Sequence, residues 1–438
     1  MNYKETVQYL YSQLPLFTRV GASAYKANLD NTIELCRRLD DPQHQFKSVH
    51  IGGTNGKGST SHMLAAILQT AGYKTGLYTS PHLKDFRERI RINGQMISEQ
   101  EVIDFVAQHQ PDFEEIRPSF FEMTVGLAFD YFAREKVDIA IIEVGLGGRL
   151  DSTNIVTPLL SVITNIGWDH MNILGDTLPL IAAEKAGIIK PDIPVIIGEY
   201  QPEVAEVFIT KAKKENSGIL FASEMIIAEN QESGTRNQDE KTNEYLDVTV
   251  TFPRDSRLKT LDLRLDLTGS YQLKNVKTVL YAVKELCRQG FIISDEHIFT
   301  GLRQVKTLTG LHGRWEVLSK NPLTICDTGH NPEGINEVLQ NIAAVKYDHL
   351  HFVIGVLNDK DLSKILDKLP AIATYYFCKP DIPRGLDAEN LKLQAESFGL
   401  KGEVYLSVND ALHAAQQNAG KNDLVFVGGS TFVVAEVV

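Results

Sequence analysis

The chain has 438 residues, 43% of them hydrophobic, enough for more than one domain with a sizeable core. Its 44 Lys and Arg against 56 Asp and Glu give a net charge of -12, which argues against a nucleic-acid partner but allows a local anion pocket. Four scattered cysteines without a CxxC pair, no basic-then-apolar N-terminus and no apolar run of roughly 18 residues exclude a disulfide framework and a membrane partner, and a cytoplasmic protein is expected.

In chain order, short β-branched runs alternate with helical patterns, the signature of a parallel sheet covered by helices. Strands are predicted at residues 48–51, 75–78, 137–144, 159–163 and 194–197, and helices at 59–71, 99–108, 120–135 and 177–186. The pattern changes near Leu220. Residues 229–243 are polar and charged, and 245–252 and 258–267 then alternate apolar with polar, as two antiparallel strands joined by a turn around Pro253-Arg254-Asp255 would. A helix is predicted over 272–288. A second βα series runs through 323–326, 350–356, 374–378, 403–406 and 424–427. The expected organisation is a domain over 1–296, a linker over 297–312 and a second domain over 313–438.

The predicted strand ending at Ile51 leads into Gly52-Gly53-Thr54-Asn55-Gly56-Lys57-Gly58-Ser59-Thr60 and then a helix. Glycines let backbone N–H groups approach phosphate oxygens, and a helix N-terminus favours an anion. Lys57 would neutralise the outer phosphates, while Ser59 or Thr60 could reach Mg2+ or cap the helix. The spacing departs from GxxxxGK[ST] because Gly58 intervenes. The plainer reading is a glycine turn before a capped helix.

Three further segments fall where parallel strands end, the usual ligand edge of an open α/β sheet. They are Tyr78-Thr79-Ser80-Pro81-His82-Leu83, Ile142-Glu143 through Leu150-Asp151, and Thr164-Asn165-Ile166-Gly167-Trp168-Asp169-His170. Oxygen ligands with one imidazole suit Mg2+ or Mn2+ on nucleotide phosphates. Each also has an ordinary reading, as a solvated strand end or a capping pair. Lys185 reads plainly as a last-turn cation before Gly187. Phe120 and Phe121 read as core, and Asp327 reads as a helix capper before Pro332.

The loop Gly53–Ser59, the TSPH run at 79–82, the EVGLGGRLDSTN run at 143–154 and the Asp169-His170 pair, in this order, resemble the folylpolyglutamate synthase/dihydrofolate synthase branch of the Mur ligase superfamily. The resemblance spans roughly residues 17–438. Ser152 stands where alanine is common, and Asp327-Thr328-Gly329-His330-Asn331-Pro332 departs from the family's D-G-A-H-N-P order. Val427-Gly428-Gly429-Ser430-Thr431-Phe432 is similar, but not identical, to its Gly-Ser turn. The implied fold is α/β: a P-loop-type Mur ligase central ATPase domain with a mainly parallel sheet plus a small antiparallel sheet, then a Rossmann-like α/β C-terminal domain.

The resemblance also implies roles. ATP is assigned to Thr54, Asn55, Gly56, Lys57, Gly58, Ser59 and Thr60, with Asn275, Arg314 and Asp327. Mg2+ is assigned to Ser80, Glu143 and His170, with a monovalent cation as a further candidate. Phe120, Phe121, Glu122, Met123, Leu150, Asp151 and Ser152 are implied to line a folate site, enclosed by the loop at 80–91. His330 and Ser430 are assigned to glutamate. Lys57, Lys185 and His330 form the implied catalytic set, with Lys185 carbamylated and its charge reversed.

The implied activity is ATP-dependent amide formation between L-glutamate and a dihydropteroate or reduced-folate carboxylate through an acyl phosphate, in a monomer whose domains close around the nucleotide. Both dihydrofolate synthase and folylpolyglutamate synthase activities are expected. Polyglutamylation alone is the alternative. A peptidoglycan-type Mur ligase would be expected to carry a UDP-binding domain ahead of the phosphate loop. A P-loop hydrolase or an inert nucleotide-binding scaffold would leave the Glu143, His170, Lys185 and Asp327–His330 features unused.

Overall fold

A computed structural model of the chain describes residues 1–12, 28–231, 244–253, 260–358 and 362–438. Residues 232–243 of the polar stretch, and Arg254 and Asp255 of the expected turn, lie outside the described residues. The chain divides into two compact units, one of Met1–Glu229, Asp247–Leu265 and Gln272–Gly310, the other of Asn230–Leu246, Asp266–Tyr271 and Leu311–Val438.

The first unit is built on β1 (Ser48–Gly52), β2 (Thr75–Tyr78), β3 (Ile90–Ile92), β4 (Gln95–Met96), β5 (Ile139–Glu143), β6 (Leu160–Ile163), β7 (Val195–Ile197) and β8 (Ile219–Phe221). They form one sheet in the order β4-β3-β2-β5-β1-β6-β7-β8. The run from β2 to β8 is parallel, and β3 and β4 add an antiparallel edge. All residues of β1 and β5 are buried; in β5 this accompanies the continuous apolar run at 139–142, whereas β1 buries Ser48 and His50 alongside its apolar residues. Phe129, Phe132 and Ile142 belong to one core cluster, and Val144, Ile163, Ile181 and Phe208 to another.

The helix Lys57–Thr70 is buried from Ser59 through Leu68, so it cannot show the one-sided stripe of a surface helix. Part of its cover comes from residues expected as linker. The helices Asp295–Arg303 and Val305–Thr309 pack on it, and a Cβ on Gly301 would lie 2.7 Å from Ile67 Cα. A capping box between Ser294 and His297, with Ile298 and Leu302 buried below it, gives that segment its helical register.

A separate sheet has the order β11-β10-β9, with β9 (Ile227–Asn230), β10 (Leu246–Thr251) and β11 (Leu261–Leu265). The side-chain pairs Thr249–Asp262 at 2.9 Å and Arg264–Asp247 at 2.8 Å advance in opposite directions, so β10 and β11 are antiparallel.

The second unit holds β12 (Glu316–Lys320), β13 (Leu323–Cys326), β14 (Leu350–Ile354), β15 (Thr374–Phe377), β16 (Lys401–Val404) and β17 (Leu424–Gly428), in the order β12-β13-β17-β14-β15-β16. All neighbours are parallel except the edge strand β12. Phe352, Phe377 and Phe426 are fully buried in its core. Among the described residues no helix is long and apolar enough to cross a membrane.

Candidate active site

The adjacency of β5, β1 and β6 brings three distant segments to one sheet edge. β1 opens into the glycine loop, where Gly53 has φ +133° and a Cβ there would meet Thr164 Oγ1 at 1.9 Å. Only glycine fits that approach. The loop is stitched to the segment after β6: Thr54 N–H donates to the Asn165 carbonyl (2.8 Å) and Asn55 N–H to Asn165 Oδ1 (2.9 Å). Thr164 Oγ1 donates to the Asn55 carbonyl at 2.6 Å.

Gly56 starts the helix with φ 87° and gives it no side-chain cap, leaving first-turn N–H groups suited to an anion. Lys57 Nζ donates to the Gly53 and Thr54 carbonyls, each at 3.0 Å. Gly58 lies in this first turn beside Ser59 and Thr60, which are buried. Gln272 Nε2 donates to Ser59 Oγ at 3.2 Å and receives Asn275 Nδ2 at 2.7 Å on its own oxygen. Asn275 Oδ1 lies where a Cβ on Gly56 would stand 2.3 Å away, so the Asn275 segment does reach the phosphate loop.

Glu143, at the end of β5, is 5% exposed and its Oε2 accepts the Ser80 N–H at 3.1 Å. His170 adopts φ 51° beside Asp169, with its Nε2 3.6 Å from Asp169 Oδ2. The structure therefore joins Ser80 to Glu143. No group of three His, Cys, Asp or Glu side chains placed to hold a metal occurs among the described residues. The Ser80 and Glu143 oxygens remain the right donor chemistry for a hard divalent ion completed by phosphate oxygens.

Lys185 departs furthest from its ordinary reading. It lies in the last turn of the helix Leu178–Ala186 but is 5% exposed, and its Nζ donates to the Gly53 carbonyl at 2.9 Å. Lys57 and Lys185 thus converge on one carbonyl oxygen. Burial, then the charge of Lys57, pushes the Lys185 ammonium down to about 7, against the pull of Asp169 and Asp151. The unfolded chain consequently binds more protons between pH 7 and the ordinary lysine value of 10.5, so this residue's contribution to stability rises with pH across that window. Denaturant unfolding in CO2-free buffer should show wild type gaining on Lys185→Met as pH is raised from neutral. A flat difference would show that the amine is not held in this environment.

Around the predicted folate side, Ser119 caps the helix Phe120–Arg134 and Glu122 completes a capping box, accepting the Ser119 N–H at 2.5 Å. Glu122 thus has a structural task, for which the Ser119-x-x-Glu122 spacing of a capping box was the signal. Met123 is fully buried, Phe120 is 5% exposed, and Phe121 packs against Gly145. Leu150 is half-buried, and Asp151 and Ser152 are buried. The loop at 80–89, expected to enclose the folate, adds Arg89 to His82 of the TSPH run. Arg89, buried, donates Nε to His82 Nδ1 at 2.7 Å and lies over the Phe120 ring at 5.3 Å. His82 Nε2 is 3.2 Å from Tyr11 Oη.

In the second unit Asp327 directly follows β13 and is 3% exposed. Its Oδ2 accepts Tyr271 O–H at 2.5 Å and Trp315 N–H at 2.8 Å, and Oδ1 accepts Gly329 N–H at 2.8 Å. The cap of the following helix is Asn331, so Asp327 is not the capper of the plainer reading. Nothing in the sequence linked Tyr271 to Asp327. Arg314 bonds to Thr328 Oγ1 and to the Gly313 carbonyl. His330 donates Nδ1–H to the Thr328 carbonyl at 3.0 Å, a carbonyl being able only to accept. Ser430 is buried and caps the helix Thr431–Ala435 through Oγ.

Comparison with known proteins matches residues 51–283 to the Mur ligase middle domain and residues 313–431 to the Mur ligase, glutamate ligase domain. A Haloferax volcanii protein named as a probable bifunctional folylpolyglutamate synthase/dihydropteroate synthase is 33% identical over 100% of this chain, which spans 50% of that longer protein. A Bacillus subtilis dihydrofolate synthase/folylpolyglutamate synthase is 32% identical over 99% of this chain and 98% of its own length. The solved structure of a bifunctional folylpolyglutamate synthase/dihydrofolate synthase with Mn, AMPPNP and L-glutamate bound aligns with a TM-score of 0.83 at 29% identity, over 100% of this chain and 97% of that one.

Proposed function

Because the chain belongs to the folylpolyglutamate synthase/dihydrofolate synthase family of Mur ligases, we propose that it joins L-glutamate to a pteroate or folate carboxylate at the expense of ATP. The observation that carries this reading is the convergence of Lys57 and Lys185 on the Gly53 carbonyl, beside an uncapped helix N-terminus.

A carboxylate does not react with an amine at neutral pH without activation. The γ-phosphoryl group passes from ATP to the acceptor carboxylate, releasing ADP and forming an acyl phosphate. The free amine of glutamate attacks that carbonyl, inorganic phosphate leaves, and the amine proton passes to solvent. The N–H groups of the helix's uncapped first turn and Lys57 hold the phosphates and offset their charge during transfer, a task of positioning and electrostatics. A divalent ion held by Ser80 and Glu143, with His170 as a third ligand, would supply further charge neutralisation. We assign Mg2+ because the donors are mostly oxygen, and a monovalent cation on the family's account alone.

Thr54, Asn55, Gly56, Gly58, Ser59, Thr60 and Asn275 are assigned to the nucleotide. Phe120, Phe121, Met123, Leu150, Asp151 and Ser152 are assigned to the pteridine side, with Glu122 shaping its helix start. On the second unit Arg314 and Asp327 are assigned to nucleotide and His330 and Ser430 to glutamate. One chain supplies every assigned residue, so a monomer suffices. The free cysteines, three of them buried, suit a reducing cytoplasm.

The test is ADP release with Mg-ATP and glutamate, using dihydropteroate and then tetrahydrofolate as acceptor. Release with both is the expected result and establishes both activities. Release with tetrahydrofolate alone restricts the enzyme to polyglutamylation, and equal release without acceptor overturns the ligase reading.

A further inference from the structure

A polar chain runs through the core of the first unit that no step above uses. His50, in β1, is fully buried, and its Nε2 lies 2.8 Å from Thr153 Oγ1. Thr153, also fully buried, donates its hydroxyl to Asp151 Oδ1, which further accepts the Thr153 N–H at 3.0 Å. The single hydroxyl proton is therefore committed to Asp151, so Thr153 Oγ1 accepts from His50 and the imidazole carries its proton on Nε2. His50 Nδ1 has no hydrogen-bond partner among the described residues, as a neutral ring fixed by its other nitrogen permits. Burial keeps that ring neutral, pushing its pKa down to about 3.

The other oxygen of Asp151 faces differently. Oδ2 accepts the Leu146 N–H at 2.8 Å. A Cβ on Gly145 would stand 3.2 Å from this oxygen and 2.4 Å from Phe121 Cζ. One carboxylate edge and the rim of an aromatic ring therefore share the bare Cα of Gly145. That pairing suits a planar heterocycle carrying N–H donors, which can lie against the ring and donate to the oxygen.

We propose that His50 and Thr153 are positioning residues that lock the Asp151 carboxylate in the orientation needed to receive the N–H edge of the acceptor's pteridine ring. This rests on the reading of Asp151 as a folate contact. The carboxyl torsion of aspartate is broad when unrestrained. Here Oδ1 is held by both Thr153 donors, and the threonine rotamer is itself held by His50. Without the hydroxyl, Oδ1 keeps one donor, and the His50 N–H is left buried without an acceptor, an unfavourable arrangement.

The test measures KM for tetrahydrofolate and for ATP in the full chain. Thr153→Val is expected to raise the tetrahydrofolate KM roughly ten- to a hundredfold, the equivalent of one charge-assisted hydrogen bond, with ATP KM unchanged. Thr153→Ser, which keeps the hydroxyl, should restore it. His50→Leu should act like Thr153→Val, the double variant should be no worse than either, and His50→Gln, whose amide nitrogen can stand where Nε2 does, should stay near wild type. Equal effects on both KM values, no effect on either, or failure of Thr153→Ser to restore would overturn the proposal. Asp151→Asn separates the two layers. If it leaves tetrahydrofolate KM unchanged, the folate reading of Asp151 falls. If it raises that KM while Thr153→Val does not, the positioning role alone falls.

Discussion

Lys57→Met is expected to lower kcat/KM for ADP-forming ligation by about a thousandfold, some ~4 kcal/mol of lost transition-state stabilisation. The side chain springs from the first residue of the helix after β1 and folds back so that Nζ touches the Gly53 and Thr54 carbonyls of its own loop. Its charge is thereby held against the loop, beside the uncapped first turn of the helix. Methionine keeps the length and apolar stem but removes the charge, so the fold should survive while phosphoryl transfer fails. Lys57→Arg should rescue poorly, because a planar fork does not fit where an ammonium is held between two carbonyls. Steady-state kinetics beside a thermal melt decides the matter. A loss below tenfold with an unchanged melt would remove Lys57 from the phosphate site.

The second large effect concerns the sign of a charge. Lys185→Ala is expected to reduce turnover by roughly a hundred- to a thousandfold. Burial and Lys57 push Lys185 down to about 7, so a large share of the amine is neutral at physiological pH. A neutral amine can add CO2, forming an N–C bond and releasing a proton to solvent, which leaves a carbamate anion close to Lys57. If Lys185 acts in that form, acetate should recover part of the Lys185→Ala activity and methylammonium should not. The reverse pattern would show that the residue acts as a cation.

The sheet of the first unit was readable where its strands are buried on both faces. β1, β2, β5, β6 and β7 were anticipated within two residues at each end, because short apolar segments each followed by a glycine-bearing or polar turn have few other solutions. Short strands at or next to sheet edges carried too little pattern, and β3, β4, β8, β9 and β12 were not anticipated. The helix Glu99–Ile116 runs on through Pro111, past the expected end at 108. The helix Pro202–Lys214 did carry a signal, with proline at its start and Val204, Ala205, Phe208 and Ala212 on one buried face. At the site, the glycine loop, Glu143 and Lys185 were legible because motif order fixed them. The Tyr271–Asp327 bond and the His50–Thr153–Asp151 chain were not, since each joins residues far apart in sequence that become neighbours only after the sheets assemble.

The position of β1 has a consequence for how the protein is made. Its flanking strands are β5 and β6, which end at Glu143 and Ile163, so no earlier segment of the chain pairs with it. On the ribosome the glycine loop therefore emerges long before its walls exist, and the Asn165 groups that receive Thr54 and Asn55 arrive later still. Until then Val49 and Ile51, fully buried in the finished sheet, belong to a strand with both edges open. Such non-local pairing folds slowly and is prone to association. The loop can take its finished form only once Asn165 has been made, 110 residues after Asn55.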